Sequence, residues 1–176
     1  NWYFENLNSY SLTKSSSKIY IDKLPLNIIH VGEILRIFPN AKFIISIRHP
    51  CDCVLSCFMQ SFTMNNAMAN FVNLEDAAIL YDAVMKLWMH YVSVFDMNYH
   101  EIRYESLVKN LETTIRPLIE FLELKWNDSV LKFQETAKKR TQIKTPSYDQ
   151  VIKPIYSEAS GRWKIYQKQI ENIYPI

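Results

Sequence analysis

The stretch from Ala41 to Phe62 reads AKFIISIRHPCDCVLSCFMQSF, and its pattern is that of one strand, a tight turn and a helix. Ala41 to Ile47 is a short apolar run rich in β-branched residues, which predicts a strand covered on both faces. Arg48 ends the run. Pro50 suits the first turn of a helix, where a missing N–H costs nothing. Asp52 adds negative charge near the positive end of that helix. A charged Arg at the carboxyl end of a parallel strand stands where open α/β sheets bind ligands. Ser56 follows eight residues later, about two helical turns on. A planar guanidinium and a hydroxyl from the next helix can clamp one phosphate. Taken alone, the pair is better explained as a strand-end Arg bonded to a local carboxylate and a Ser filling a small gap.

Outward from this stretch, Lys18 to Ile21 reads as a second short strand and Pro25 to Phe38 as a helix stopped by Pro39-Asn40. Strand, helix and strand at this spacing predict a βαβ unit, with Lys23 and Arg48 at one edge of the sheet. Leu74 to Phe95 carries the clearest helical stripe, with Ala77, Ala78, Tyr81, Val84, Met85, Trp88 and Val92 at three- and four-residue steps. That stripe predicts core. Tyr99 to Tyr104 reads as a strand, Glu105 to Val108 and Leu111 to Leu122 as helix, and Asn127 to Phe133 as a short amphipathic helix. Residues 1–12 partly fit a helix, 13–18 form a polar loop, and 161–170 close the chain as a last helix.

Composition narrows the function classes. The 176 residues are 48% hydrophobic and 22% charged, in the range of ordinary globular proteins. A net charge of +2, from 20 basic and 18 acidic residues, gives no reason to expect a nucleic-acid or membrane surface. No apolar run approaches the roughly 18 residues of a membrane span. Only Gly32 and Gly161 are glycines, against about a dozen from average usage of about 7%. A glycine-rich phosphate loop therefore does not occur within these residues. Cys51, Cys53 and Cys57 lie beside His49, but residues two apart on a helix diverge and no second ligand cluster accompanies them. They read as packed thiols, with no metal and no disulfide framework.

IDKLPLN at 21–27 and LRIFPNAKFIISIRHPCDCVLSCF at 35–58 resemble the sulfotransferases that use 3′-phosphoadenosine 5′-phosphosulfate (PAPS). The likeness is to the bacterial branch linked to tetratricopeptide repeats, itself similar to tyrosylprotein sulfotransferases. The later stretch SYDQVIKP, followed by Arg162-Trp163, carries the same likeness. The resemblance implies a three-layer α/β, P-loop-type fold with a short parallel sheet flanked by helices. It covers 1–176 as a single, partial domain, with the N-terminal phosphate-loop portion missing. It implies that Arg48 and Ser56 hold the cofactor's 3′-phosphate and that Tyr104, in RYESLV, approaches the cofactor. It implies that Arg162 binds cofactor, that Ser147 lies near the transferred sulfuryl group, and that Lys23 contacts the bridging or sulfuryl oxygens. Lys138-Lys139-Arg140 reads as a solvated basic face or as a rim for an anion.

The resemblance also implies no metal, a hydroxyl acceptor of unassigned class (protein tyrosine, carbohydrate or small alcohol), and tetratricopeptide repeats N-terminal to this chain in a longer protein. The expected compartment is the cytoplasm. Two departures matter. The Gly- and Ser/Thr-rich loop and the acidic base that follows it have no counterpart here, and Gln60 stands where the tyrosylprotein branch can place a further basic residue. The competing readings are a non-catalytic or degenerate nucleotide-binding module and a P-loop-type nucleotide kinase relative. The kinase reading calls for a Walker loop and Mg²⁺ ligands, which the residues lack.

Overall fold

The computed structural model describes residues 19–135, 155 and 158–173. Two parallel strands, β1 (Lys42–Ile47) and β2 (Asn98–Arg103), pair in register from Lys42 opposite Asn98 to Ile47 opposite Arg103. The α-helices that flank or follow them include α1 (Val31–Ile37), α2 (Pro50–Phe58), α3 (Leu74–Val94), α4 (Tyr104–Lys109) and α5 (Leu111–Phe121). The crossover from β1 to β2 runs through α2 and α3. The molecule is thus α/β with a short parallel sheet, as the sequence predicts.

Local chemistry sets these boundaries. Pro50 takes the first turn of α2. Asn73 caps α3, its side chain accepting from the amides of Glu75 and Asp76 at 2.8 and 3.4 Å. Asn110 caps α5 by accepting from the Thr113 amide at 3.2 Å. At the far end of α5, Lys42 Nζ donates to the Phe121 carbonyl at 2.7 Å and to Glu123 at 2.6 Å. A cation there meets the negative end of the helix dipole and ties α5 to the start of β1.

The predicted stripe on α3 serves two cores. Its first half, with Ala77, Ala78 and Tyr81, packs on Cys51 and Val54 of α2 and on Ile170 and Ile173. Its second half, with Met85, Trp88 and Val92, packs on Val31 of α1 and on Phe43, Ile45 and Ile47 of β1. Gly32 lets α1 approach α3 closely, since a Cβ there would stand 3.3 Å from the Tyr91 ring. The other sheet face is covered by α5 beneath β2, where Ile102 and Leu118 are buried and His100 meets Phe121 at 5.4 Å.

Three expectations change. Residues 19–21 form no strand but an exposed, irregular segment, so the βαβ unit of the described residues is β1–α2–α3–β2. The apolar character of Ile19-Tyr20-Ile21 marks strand propensity, which becomes a strand only where a partner edge is offered. Secondly, β1 is not covered on both faces: Ile45 is buried while Ile44, its neighbour on the opposite face, is 43% exposed. On that face α5 packs chiefly beneath β2 and meets β1 at its start, through Lys42. Thirdly, the last helix is a single 3₁₀ turn, Arg162–Tyr166, followed by turns and a shorter one at Glu171–Ile173. Pro25 to Phe38 is a 3₁₀ turn, Pro25–His30, continued by α1. The expectations for 1–12, 13–18, Lys138-Lys139-Arg140 and Ser147 lie outside the described residues. Within them, no helix is long and apolar enough to cross a membrane.

Candidate functional site

Pairing Ile47 with Arg103 puts the next residues, Arg48 and Tyr104, side by side at the carboxyl ends of the two strands. The Arg48 guanidinium lies over the Tyr104 ring at 4.9 Å from its centroid. An aromatic face attracts a cation and holds a planar guanidinium flat. The Arg48 side chain is only 19% exposed, and its nearest carboxylate contact, Asp52, is at 3.9 Å. That is well outside the roughly 2.7–2.9 Å of a charge-assisted hydrogen bond. Nη2 donates to the Ala159 carbonyl, while Nε is buried with no hydrogen-bond partner among the described residues. A largely buried guanidinium that has no carboxylate within direct hydrogen-bond distance among the described residues, and one donor without a partner there, is chemically suited to an anion.

Asp52 is the best-enclosed charge among the described residues, at 1% exposure. Its two oxygens accept from the backbone amides of Gly161 at 2.6 Å and Trp163 at 2.8 Å. These bonds fold the segment 158–163 back over the start of α2. Gly161 makes the turn with φ at +74°, a left-handed conformation that favours glycine. The Trp163 ring then stacks on His49 at 4.8 Å and 18°. Sequence reading gave Asp52 only a helix-end role. The available signal for a pair is that Asp52, in the first turn of α2, follows the strand-end Arg48 by only four residues across the turn.

Glu105 at the start of α4 accepts the His49 amide at 2.8 Å and so fixes the turn after β1. Partial burial pushes its carboxyl up, but the His49 amide, its own backbone amide and the nearby Arg48 charge outweigh that and hold it below the ordinary range. A carboxyl so lowered contributes stability above its unfolded pKa and loses it as pH falls through the folded one. Titrating the protein while following the His49 amide resonance should therefore show a midpoint below the ordinary glutamate value of about 4.3. A midpoint at or above that value would mean that the contact adds nothing to the turn.

On α2, the Cys53 and Cys57 thiols interact: their side-chain hydrogen bond holds Cys53 below the ordinary thiol range and pushes Cys57 up, and the nearby Arg48 charge favours the thiolate of both. None of the three cysteines is disulfide-bonded. Among the described residues, no three His, Cys, Asp or Glu side chains gather as metal ligands.

Of the residues singled out from sequence, Arg48 and Tyr104 meet directly. Ser56 lies exposed on α2, and Arg162 is exposed between the two amides that Asp52 holds. Lys23 is exposed and outside the two-stranded sheet, so among the described residues it shares no sheet edge with Arg48. Ser147 lies outside the described residues.

Residues 2–128 match a family described as the sulfotransferase family. The chain is 33% identical over 157 residues to an uncharacterized protein of Aquifex aeolicus, across 89% of this chain and 20% of that protein. It is 29% identical over 154 residues to a protein-tyrosine sulfotransferase of Drosophila melanogaster, across 81% of this chain and 29% of the relative. It is 29% identical over 147 residues to protein-tyrosine sulfotransferase 1 of Danio rerio, covering 81% of this chain and 41% of that protein. The chain thus spans between about a fifth and two fifths of the length of these curated relatives.

Proposed function

The chain belongs to the sulfotransferase family, and we propose that the protein carrying it transfers a sulfuryl group from PAPS to a hydroxyl acceptor. The observation that carries this reading is Arg48: a strand-end guanidinium, largely buried on Tyr104, whose Nε has no hydrogen-bond partner among the described residues and whose ion-pair contact with Asp52, at 3.9 Å, is not a direct hydrogen bond. In this reading Arg48 and the Ser56 hydroxyl hold the 3′-phosphate of the donor, Tyr104 keeps the guanidinium flat, and Arg162 adds a second positive charge from the segment held by Asp52. The relatives named as protein-tyrosine sulfotransferases favour a tyrosine side chain as acceptor.

Transfer requires the acceptor oxygen, the sulfur and the leaving phosphate oxygen to be in line. The S–O bond to the 5′-phosphate breaks as the acceptor oxygen bonds to sulfur, and the acceptor proton leaves to a base. The protein's work is positioning, and stabilising charge on the equatorial and leaving oxygens. Lys23 suits the second task as a mobile ammonium on a segment outside the sheet, and Ser147 is assigned beside the sulfuryl group; both rest on sequence resemblance. The remaining donors to the 5′-phosphosulfate are expected upstream of the matched residues.

The direct test is calorimetric titration of the full-length protein with 3′,5′-adenosine bisphosphate and with 5′-AMP, alongside an assay with labelled PAPS and tyrosine-containing peptides. Preference for the bisphosphate together with labelled product supports the reading. Bisphosphate binding without turnover on any hydroxyl acceptor would favour a non-catalytic nucleotide-binding module. For Lys23, the expected outcome of Lys23→Ala is a fall in kcat exceeding any rise in KM for PAPS, because a charge on the leaving oxygen counts most in the transition state. Unchanged turnover would return Lys23 to an ordinary surface lysine.

A further inference from the structure

Asp52 engages two parts of the molecule at once. One carboxylate oxygen accepts the Gly161 amide and the other the Trp163 amide, at 2.6 and 2.8 Å. The second oxygen also stands 3.9 Å from Arg48 Nη2. Arg48 in turn donates from that nitrogen to the Ala159 carbonyl. The guanidinium and the carboxylate, four residues apart on one turn of chain, therefore grip the same segment at three backbone points. His49, between them, adds the stack on Trp163.

A buried carboxylate is costly unless it is hydrogen-bonded and near a positive charge. Here both requirements are met by groups that belong to the candidate site and its cover. We propose that Asp52 is a positioning residue that links anion binding at Arg48 to docking of residues 158–163. Removing the carboxylate leaves the Gly161 and Trp163 amides without their acceptors and the guanidinium held by Tyr104 and a loosened Ala159. Conversely, an anion that fixes Arg48 fixes the Ala159 and Asp52 contacts with it. Arg162, between the two amides, is carried toward or away from the site by the same docking. The proposal rests on reading Arg48 as the clamp for the 3′-phosphate.

The experiment uses the full-length protein and Asp52→Asn. The amide side chain keeps the shape but has one acceptor oxygen, so one of the two backbone donors loses its partner. Expected are amide hydrogen exchange in 158–163 about tenfold faster without nucleotide, and bisphosphate affinity about tenfold weaker. Binding of 5′-AMP should be nearly unchanged. In the Arg48→Ala background, adding Asp52→Asn should cost almost no further affinity, because the two act as a unit. A readout that leaves Asp52 intact is exchange in Arg48→Ala alone, where Gly161 and Trp163 should again exchange about tenfold faster than in the unsubstituted protein; this arm serves even if Asp52→Asn does not fold. Faster exchange in Asp52→Asn with undiminished bisphosphate affinity would make Asp52 purely structural and sink the proposal, as would unchanged exchange in Arg48→Ala. Failure of the unsubstituted protein to prefer the bisphosphate over 5′-AMP would instead remove the reading of Arg48 itself.

Discussion

Arg48→Ala is expected to weaken binding of 3′,5′-adenosine bisphosphate by about ten- to a hundredfold and to leave 5′-AMP nearly unaffected. A hydrogen bond to a charged group contributes roughly 1.5–3 kcal/mol, and about 1.4 kcal/mol is tenfold in affinity. The guanidinium is held flat on Tyr104, so little of its side-chain freedom remains to be lost on binding. Arg48→Lys should recover only part of the loss, because an ammonium carries the charge but not the fork of donors. Arg48 also touches Ala159 and Asp52, so its removal perturbs the structure locally. The comparison of nucleotides separates the two effects. A folding defect lowers affinity for both ligands alike, whereas a 3′-phosphate clamp lowers only the bisphosphate. Equal losses, measured by calorimetry on the full-length protein, would remove the assignment.

The parts of this site that were legible in sequence are those built from adjacent residues. The β-branched run before Arg48, the Pro at the first turn of α2 and the long stripe of α3 each have a local physical cause, and each element forms where that cause operates. Tyr104 was singled out from its motif, and the parallel register then sets it beside Arg48. Long-range partners were not legible. Asp52 finds its acceptor role with amides 109 and 111 residues away, and Glu105 meets the His49 amide across 56 residues. Nothing in helical or strand periodicity encodes such pairings, which depend on where a distant turn docks.

Ile19-Tyr20-Ile21 shows the opposite failure. Its residues favour a strand, yet they are between half and four-fifths exposed and pair with no strand. Strand propensity describes fit to a pleated, half-buried surface, so a three-residue run carries little weight without that surface. Gly161 is a stronger signal of backbone geometry than its place in a long loop suggests. In a chain with two glycines, one standing directly before Arg162-Trp163 points to a backbone requirement, and the positive φ there is that requirement.

The largest effect on stability is expected from Trp88→Ala. Trp88 is 4% exposed and sits in one core with Val31 of α1 and Ile45 of β1. Its ring meets Tyr99 of β2 edge-on at 5.3 Å and 89°, a favoured aromatic geometry. One side chain therefore joins α3 to α1 and to both strands. Truncation removes the buried indole and leaves a cavity among elements that cannot all close on it, at a cost of about 3–5 kcal/mol. For a chain of this size that corresponds to a fall in Tm of about 6–20 °C. Met89→Ala, on the exposed face of the same turn at 59%, is the control, and should change stability by no more than about 0.5 kcal/mol. The functional consequence follows from the sheet. Arg48 and Tyr104 leave the ends of the two strands that Trp88 covers, so Trp88→Ala should lose bisphosphate binding along the same temperature curve as it unfolds, and regain it on cooling. Denaturant unfolding checks the first part and calorimetry at two temperatures the second. A cost below about 1 kcal/mol would mean that the sheet is held chiefly by α5 from the other face, and a loss of affinity that cooling does not restore would place Trp88 in the binding geometry itself.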